Sequence, residues 1–462
     1  MDKYDAVIIG AGQAGLPLAV AFRAAGLKTA VVEERFAGGT CINFGCTPTK
    51  TMVASAEAAY LAERTELYGV RANQVAVDLR QVRQRKAAVV ESFRHGSERR
   101  LLAAGVDLVM GHASFTGPMA LQVQPADGAA TRQLAADRIV INTGARPASP
   151  PLAGLASVAY LDSTSIMELE KAPAHLLILG GGYVALEFGQ MFRRFGSRVT
   201  IVQRSGQLLA REDPDVADAI LSLLREDGLD VLLDASAQRV AADPGGSVSL
   251  GVKTPQGDRT LTGSHILVAT GRTPNTDKLN LPAAGIKTDA EGYIGVNERL
   301  ETNVPGVFAV GDVKGGPAFT HISYDDYRIL KANLLEHGSA SIRDRLVPYT
   351  VFIDPQLGRI GLTEKEARAQ KRNVQVTKLP MSYVARAIEI ERTRGFIKAL
   401  VDPDTRQILG AAVLGMEGGE IMSMLEIAMM GKLPYTALRD AIFAHPTLAE
   451  LLNNLFAALP AA

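Results

Sequence analysis

The stretch DAVIIGAGQAGLPLAVAFRAAG, Asp5–Gly26, decides the fold. Ala6–Ile9 is apolar without alternation, which reads as a strand buried on both faces. A glycine turn follows at once, then a helix-period pattern that closes at Gly26. Gly10, Gly12 and Gly15 permit a tight turn and let backbone approach a pyrophosphate at the helix N-terminus. One such match is weak evidence. A second copy, HLLILGGGYVALEFGQMFRRFG, spans His175–Gly196 and carries Gly180, Gly182 and Ala185. Each copy leads into a further strand pattern, KTAVVEE after the first and RVTIVQR after the second. Two βαβ repeats predict an α/β chain with two Rossmann-like dinucleotide-binding domains.

The copies differ at one informative position. Glu33 lies 23 residues after Gly10, and Gln203 lies 23 residues after Gly180. An acid there accepts hydrogen bonds from a ribose 2′-hydroxyl and repels a 2′-phosphate. The first module therefore expects the unphosphorylated adenosine ribose of FAD or NAD. The second has neutral Gln203 followed by Arg204, which suits NADPH, with NADH as the alternative. Arg204 also reads as a plain solvated loop cation.

Further out, INTGARP (141–147) and VATGRTP (268–274) place Gly144 and Gly271 at strand ends before proline-marked crossings. TNVPGVFAVGD ends a short strand at Gly311-Asp312, where an Asp could hold a sugar or ribityl hydroxyl; a simple turn is the other reading. The expected segmentation is 1–147 with 274–345, then 148–273 as an insertion, then 346–462. The last part reads as a separate α+β domain, with strands such as GFIKALVD and a Met-rich helix, GEIMSMLEIAMMG, as core or subunit interface.

Composition narrows the function classes. A chain of 462 residues exceeds one ordinary core, so several domains are expected. Net charge is zero with no long charge run, and tryptophan is absent. Nothing favours nucleic acid or an anionic membrane surface. MDKYDAVIIGAG has no basic n-region and apolar h-region, and no apolar run spans a bilayer, so the expected compartment is the cytoplasm.

GGTCINFGCTPTK, Gly38–Lys50, holds the two cysteines of the chain, Cys41 and Cys46. They could form a structural disulfide, half a metal site or a redox pair. Cytosolic thiols stay reduced, which argues against a staple. A closed zinc site wants four ligands, so no metal site is expected. For the sulfurs to bridge, their Cα atoms must lie about 4.4–6.8 Å apart. Positions five apart on a straight helix are farther, so the segment must bend, and Gly45 is the plausible place. TPTKTMVASAEAAYLAERTEL is a strong helical run with Pro48 near its first turn. A helix N-terminus lowers thiol pKa, so Cys46 is the expected thiolate and Cys41 the exposed thiol that attacks substrate. That attack needs a base. HPTLAE offers His445 with Glu450, although a His-Pro pair at a loop-to-helix junction is by itself more often structural.

Taken together these motifs resemble the flavin-dependent pyridine nucleotide–disulfide oxidoreductases over essentially the whole chain. That family includes dihydrolipoamide dehydrogenase, glutathione reductase and mercuric reductase. ARAIEIERTRGFIKALVD and FTHISYDDYRIL look closest to its mercuric-reductase-like branch, which includes bacterial enzymes of reactive-chlorine and hypothiocyanous acid defence. The resemblance implies FAD on the first module, with Thr40 among its contacts, NAD(P)H on the second, and a C-terminal dimerisation domain. It implies that Cys46 faces the flavin. It also implies that His445 and Glu450 are base and orienter supplied by the partner subunit of a homodimer with a shared active site. Lys50 and Glu187 match a pair beside the flavin, and Tyr183 a ring that gates the nicotinamide pocket. The substrate would be a small disulfide or thiol-reactive oxidant. Mercuric or other metal ions are the alternative, weakened because the chain ends LFAALPAA without a further redox pair. A flavin-bearing redox sensor with little turnover is a third reading.

Overall fold

The structure is a computed structural model, and it describes residues 1–125 and 127–459. It packs as two compact units. The first comprises Met1–Thr51, Gln81–Ala148 and Gly271–Arg345; the second comprises Met52–Arg80, Ser149–Thr270 and the chain from Leu346 onward.

In the first unit the strand Asp2–Ile9 pairs in parallel with Thr29–Glu33 on one side and Arg132–Ile141 on the other. Asp107–Met110 and Val307–Ala309 extend the parallel sheet at its two ends. Alternate residues of the central strand enter opposite cores. Val7 and Ile9 join one apolar cluster with Val32, Ile139 and Ile141. Ala6 and Ile8 join another with Val31, Val140 and the Leu18 and Phe22 side chains of the helix Gly15–Ala24. This two-sided burial is why the strand reads as an unbroken apolar run. The helix stops where Gly26 takes a left-handed φ of 83° and Leu27 N–H closes on Phe22 O at 3.0 Å.

The second unit repeats the module. His175–Leu179 lies between parallel strands Arg198–Val202 and His265–Val268, with Asp230–Leu232 outside. The helix Tyr183–Arg194 follows its glycine turn. A five-stranded antiparallel sheet, Tyr349–Val351 through Ile408–Gly415, forms the C-terminal layer. The Met-rich helix Gly418–Met430 buries Ile421, Met422 and Leu425 in the core of that layer. It leaves Met424, Ile427 and Met430 exposed on the single chain. Among the described residues no helix is long and apolar enough to cross a membrane.

The two glycine-proline crossings meet. Ala145–Pro147 runs antiparallel to Arg272–Pro274, and Ala148 N–H donates to Gly271 O at 3.0 Å.

Candidate active site

The cysteine segment is a helical hairpin. The short helix Gly39–Phe44 stops at Gly45, whose φ of −127° and ψ of −112° break the helix, and Cys46 opens the helix Cys46–Glu63. The bend brings the sulfurs together, and the Cys41 thiol is hydrogen-bonded to Cys46. Thr49 N–H is bonded to Gly45 O at 3.1 Å, so Cys46 stands on the first turn, where backbone N–H groups have no intrahelical partner. The Cys41 thiol is pushed well up from its ordinary range. Its bond to Cys46 is the main cause, with burial and the Cys46 charge adding to it.

On the single chain Cys41 is half-buried and Cys46 exposed. Cys41 is held inside the hairpin against the Cys46 sulfur, whereas Cys46 stands on an open helix turn.

Thr320 was not singled out in the sequence. It is the first residue of the helix Thr320–Leu335, and its hydroxyl lies 3.3 Å from Cys46 Sγ. The same hydroxyl bonds Cys41 and opposes the rise of its pKa. The readable signal was a Phe-Thr step opening the helical run of FTHISYDDYRIL.

The hairpin docks on the first glycine turn. Gly38 N–H donates to Ala11 O at 2.8 Å, and Gln13 Nε2 donates to Gly38 O at 3.0 Å. Gly39 has φ +65°, and a Cβ there would lie 2.6 Å from Gly12 Cα. Gly26 shares a positive φ, yet a Cβ there meets nothing within 4 Å. Gly26→Ala is therefore expected to cost only the left-handed backbone term, about 1 kcal/mol. Gly39→Ala adds a backbone collision that forces hairpin and turn apart. It should lower both the melting temperature and the flavin retained per chain well below Gly26→Ala. Equal flavin content in the two variants would contradict this account of the docking.

The residues around this turn fit FAD. Gly10 has φ +105°, and a Cβ there would sit 2.4 Å from Asn142 O, so the turn admits only backbone. Asn142 Nδ2 donates to Gly10 O at 2.9 Å, a role hidden in INTGARP, which drew attention only to Gly144. Glu33 ends its strand and accepts from Ala11 N–H and Arg35 N–H, each at 2.9 Å. Burial raises its pKa. Gly311 N–H donates to fully buried Asp326 at 2.8 Å. Beside it burial raises the pKa of Asp312, opposed by Arg272 at 3.6 Å. A glycine cradle, a strand-end acid and a second buried acid suit a pyrophosphate flanked by two sugar chains. Thr40 is half-buried on the hairpin, and Gly144 O accepts Asn275 N–H at 3.0 Å.

In the second module Gly180 has φ +113°, Gly182 caps the helix that Tyr183 begins, and Gly271 has φ +141°. Gln203 Nε2 donates to Ser205 Oγ at 2.6 Å and Gln207 O at 3.0 Å, folding the amide back over Gly181. Arg204 is exposed at the same turn. Glu187 is buried, and its Oε1 accepts Phe352 N–H at 2.9 Å. Lys50 is half-buried on the second turn of the Cys46 helix and belongs to the first unit, Glu187 to the second. His445 Nδ1 lies 2.9 Å and 3.2 Å from the two Glu450 carboxylate oxygens. The His445 ring is largely exposed, with Nδ1 engaged by that carboxylate.

Residues 4–326 match the pyridine nucleotide-disulphide oxidoreductase family, and residues 347–456 match its dimerisation domain. The chain belongs to that family. As a pyridine nucleotide–disulfide oxidoreductase it is an enzyme acting on a sulfur group, in a family that is FAD-dependent and uses pyridine nucleotides. It is 40% identical over 461 residues to the probable pyridine nucleotide-disulfide oxidoreductase RclA of Escherichia coli, covering 99% of each chain. It is 35% identical over 451 residues to a mercuric reductase of Staphylococcus aureus, covering 97% of this chain and 81% of that one. A solved Cu(II) complex of the HOCl-induced flavoprotein disulfide reductase RclA from E. coli superposes with a TM-score of 0.90. There the identity is 38%, with full coverage of both chains. The α/β architecture with a dimerisation domain, expected from the sequence, holds for this oxidoreductase.

Proposed function

We propose that the enzyme passes electrons from NADPH, through FAD, to the Cys41–Cys46 pair and on to a small disulfide or thiol-reactive oxidant. The observation that carries this reading is the contact between the two sulfurs at a helix N-terminus, on a hairpin seated against the first glycine turn. Bound FAD would convert hydride to thiol chemistry. Gly10, Gly12, Gly15, Glu33, Thr40, Gly144, Gly311 and Asp312 would hold it. Gly180, Gly182, Tyr183 and Gly271 would serve the nicotinamide nucleotide, with Arg204, rather than Gln203, meeting the 2′-phosphate. Lys50 and Glu187 would pair beside the flavin.

Cys41 keeps its proton and so needs a base. His445 Nε2 would take that proton, with Glu450 orienting the ring, both supplied by the partner subunit of a homodimer. The exposed stripe Met424, Ile427 and Met430 suits such a subunit contact. The Cys41 sulfur then attacks the substrate disulfide and expels one thiolate, which takes its proton from His445. The Cys46 thiolate attacks Cys41 in the resulting mixed disulfide, expels the second thiolate, which takes a proton from solvent, and closes the Cys41–Cys46 bond. One hydride equivalent from NADPH would restore the thiol and thiolate, so one disulfide and one proton give two thiols per NADPH. A working dithiol fits a reducing compartment, the cytoplasm.

A metal-ion substrate is the second reading, favoured by the mercuric reductase relatives and the Cu(II) complex of RclA. Anaerobic reduction with NADPH or NADH, then reoxidation by disulfides, hypothiocyanous acid, mercuric and cupric ions, tests both. NADPH should reduce faster than NADH, and a disulfide or hypothiocyanous acid should reoxidise the pair fastest. Faster reoxidation by a metal ion would give the second reading preference. Failure of every acceptor to sustain NADPH oxidation would leave only a sensor.

A further inference from the structure

We infer that Arg94 is a positioning residue for the Cys41–Cys46 pair, acting through Asn43; this rests on the reading of the two cysteines as a redox pair. Asn43 lies between them in the sequence and is buried at 7% exposure. Its Nδ2 donates to Ala37 O and to Gly39 O, both at 3.0 Å. Those two carbonyls bracket Gly38 and begin the turn that seats on the first glycine loop. The amide thus ties the middle of the hairpin to its own foot.

The remaining acceptor of that amide is filled from elsewhere in the chain. Arg94 Nε, on the helix Leu79–Ala103, donates to Asn43 Oδ1 at 2.8 Å. The Arg94 guanidinium also lies 3.8 Å from the centre of the Phe36 ring, so its plane is fixed. Arg35 covers Phe44, the last residue of the short helix, at 4.5 Å. Both rings are therefore held by guanidinium groups, and one of these orients the buried amide of the hairpin. The bond from a charged donor to a buried acceptor is of the stronger kind, and removing it leaves Asn43 Oδ1 unsatisfied.

The consequence concerns the redox equilibrium. Closing Cys41 onto Cys46 is an intramolecular step whose equilibrium follows the effective concentration of one sulfur at the other. A loosened hairpin lowers that concentration, destabilises the disulfide and makes the pair easier to reduce.

The test uses flavin-bound enzyme equilibrated anaerobically in mixtures of oxidised and reduced dithiothreitol. Thiols are then alkylated and counted by mass. Arg94→Leu should shift the equilibrium about tenfold towards the dithiol, equivalent to about 30 mV for a two-electron couple. Arg94→Lys, which keeps a charged donor, should stay within about twofold of the wild type. Flavin content and melting temperature are recorded alongside. An unchanged equilibrium in Arg94→Leu, with or without a lower melting temperature, overturns the inference and leaves Arg94 merely structural. If Arg94→Leu yields no flavin-bound protein, Arg94→Gln is measured by the same criterion. Wild-type enzyme that forms no Cys41–Cys46 disulfide would instead sink the redox-pair reading itself.

Discussion

Cys41→Ser enzyme with its flavin oxidised should show a long-wavelength thiolate–flavin absorption, while Cys46→Ser should lack it. The expectation follows from where the pair holds its charge. Cys46 stands at a helix N-terminus, a position that favours a thiolate. Cys41 is pushed the other way by its bond to Cys46 and by burial. Each variant should lose disulfide turnover by about a thousandfold or more, because the nucleophile and its resolving partner act as a unit. Absorption that survives in Cys46→Ser and vanishes in Cys41→Ser would reverse the assignment. The experiment decides which sulfur meets the flavin, since Cys46 is the more open one on the single chain.

The next largest effect is expected from His445→Ala. A positioned general base contributes about 10²–10⁴-fold to a proton transfer. Cys41 needs that help because its thiol holds its proton tightly. Turnover with a disulfide should fall by about that factor, with flavin content unchanged. Reduction of the flavin by NADPH should be unaffected, since no thiol has to be deprotonated by the histidine in that half of the cycle. Glu450→Gln should give a smaller loss, because the Nδ1 contact at 2.9 Å orients the ring without taking part in transfer. Wild-type turnover in His445→Ala would remove the base from the scheme and return the His-Pro step to a structural role.

The sequence disclosed whatever local periodicity and fixed spacing could carry. Val7, Ile8 and Ile9 announced a strand buried on both sides, and the structure sends alternate residues into two cores. Gly45 was legible as a bend because five residues of straight helix cannot bridge two sulfurs. What stayed hidden depends on contacts distant along the chain. Thr320 meets a sulfur 274 positions away, and Arg94 meets Asn43 across 51 positions. Neither residue type at its own position signals such a partner. The local bonds of Gln203 were hidden too, since a neutral side chain at that position does not reveal that its Nε2 donates to Ser205 and Gln207.

The paired crossing segments bear on how such a chain could be assembled. Ala148 and Gly271 are joined by one hydrogen bond of 3.0 Å, so the path leaves the first fold and returns at nearly the same point. The 122 residues Ser149–Thr270 run between those two positions. Lengthening or shortening a segment between two already adjacent points changes closure entropy only logarithmically, about 0.6 kcal/mol per doubling. The pairing of Ala145–Pro147 with Arg272–Pro274 is therefore largely indifferent to how many residues the chain spends before it returns.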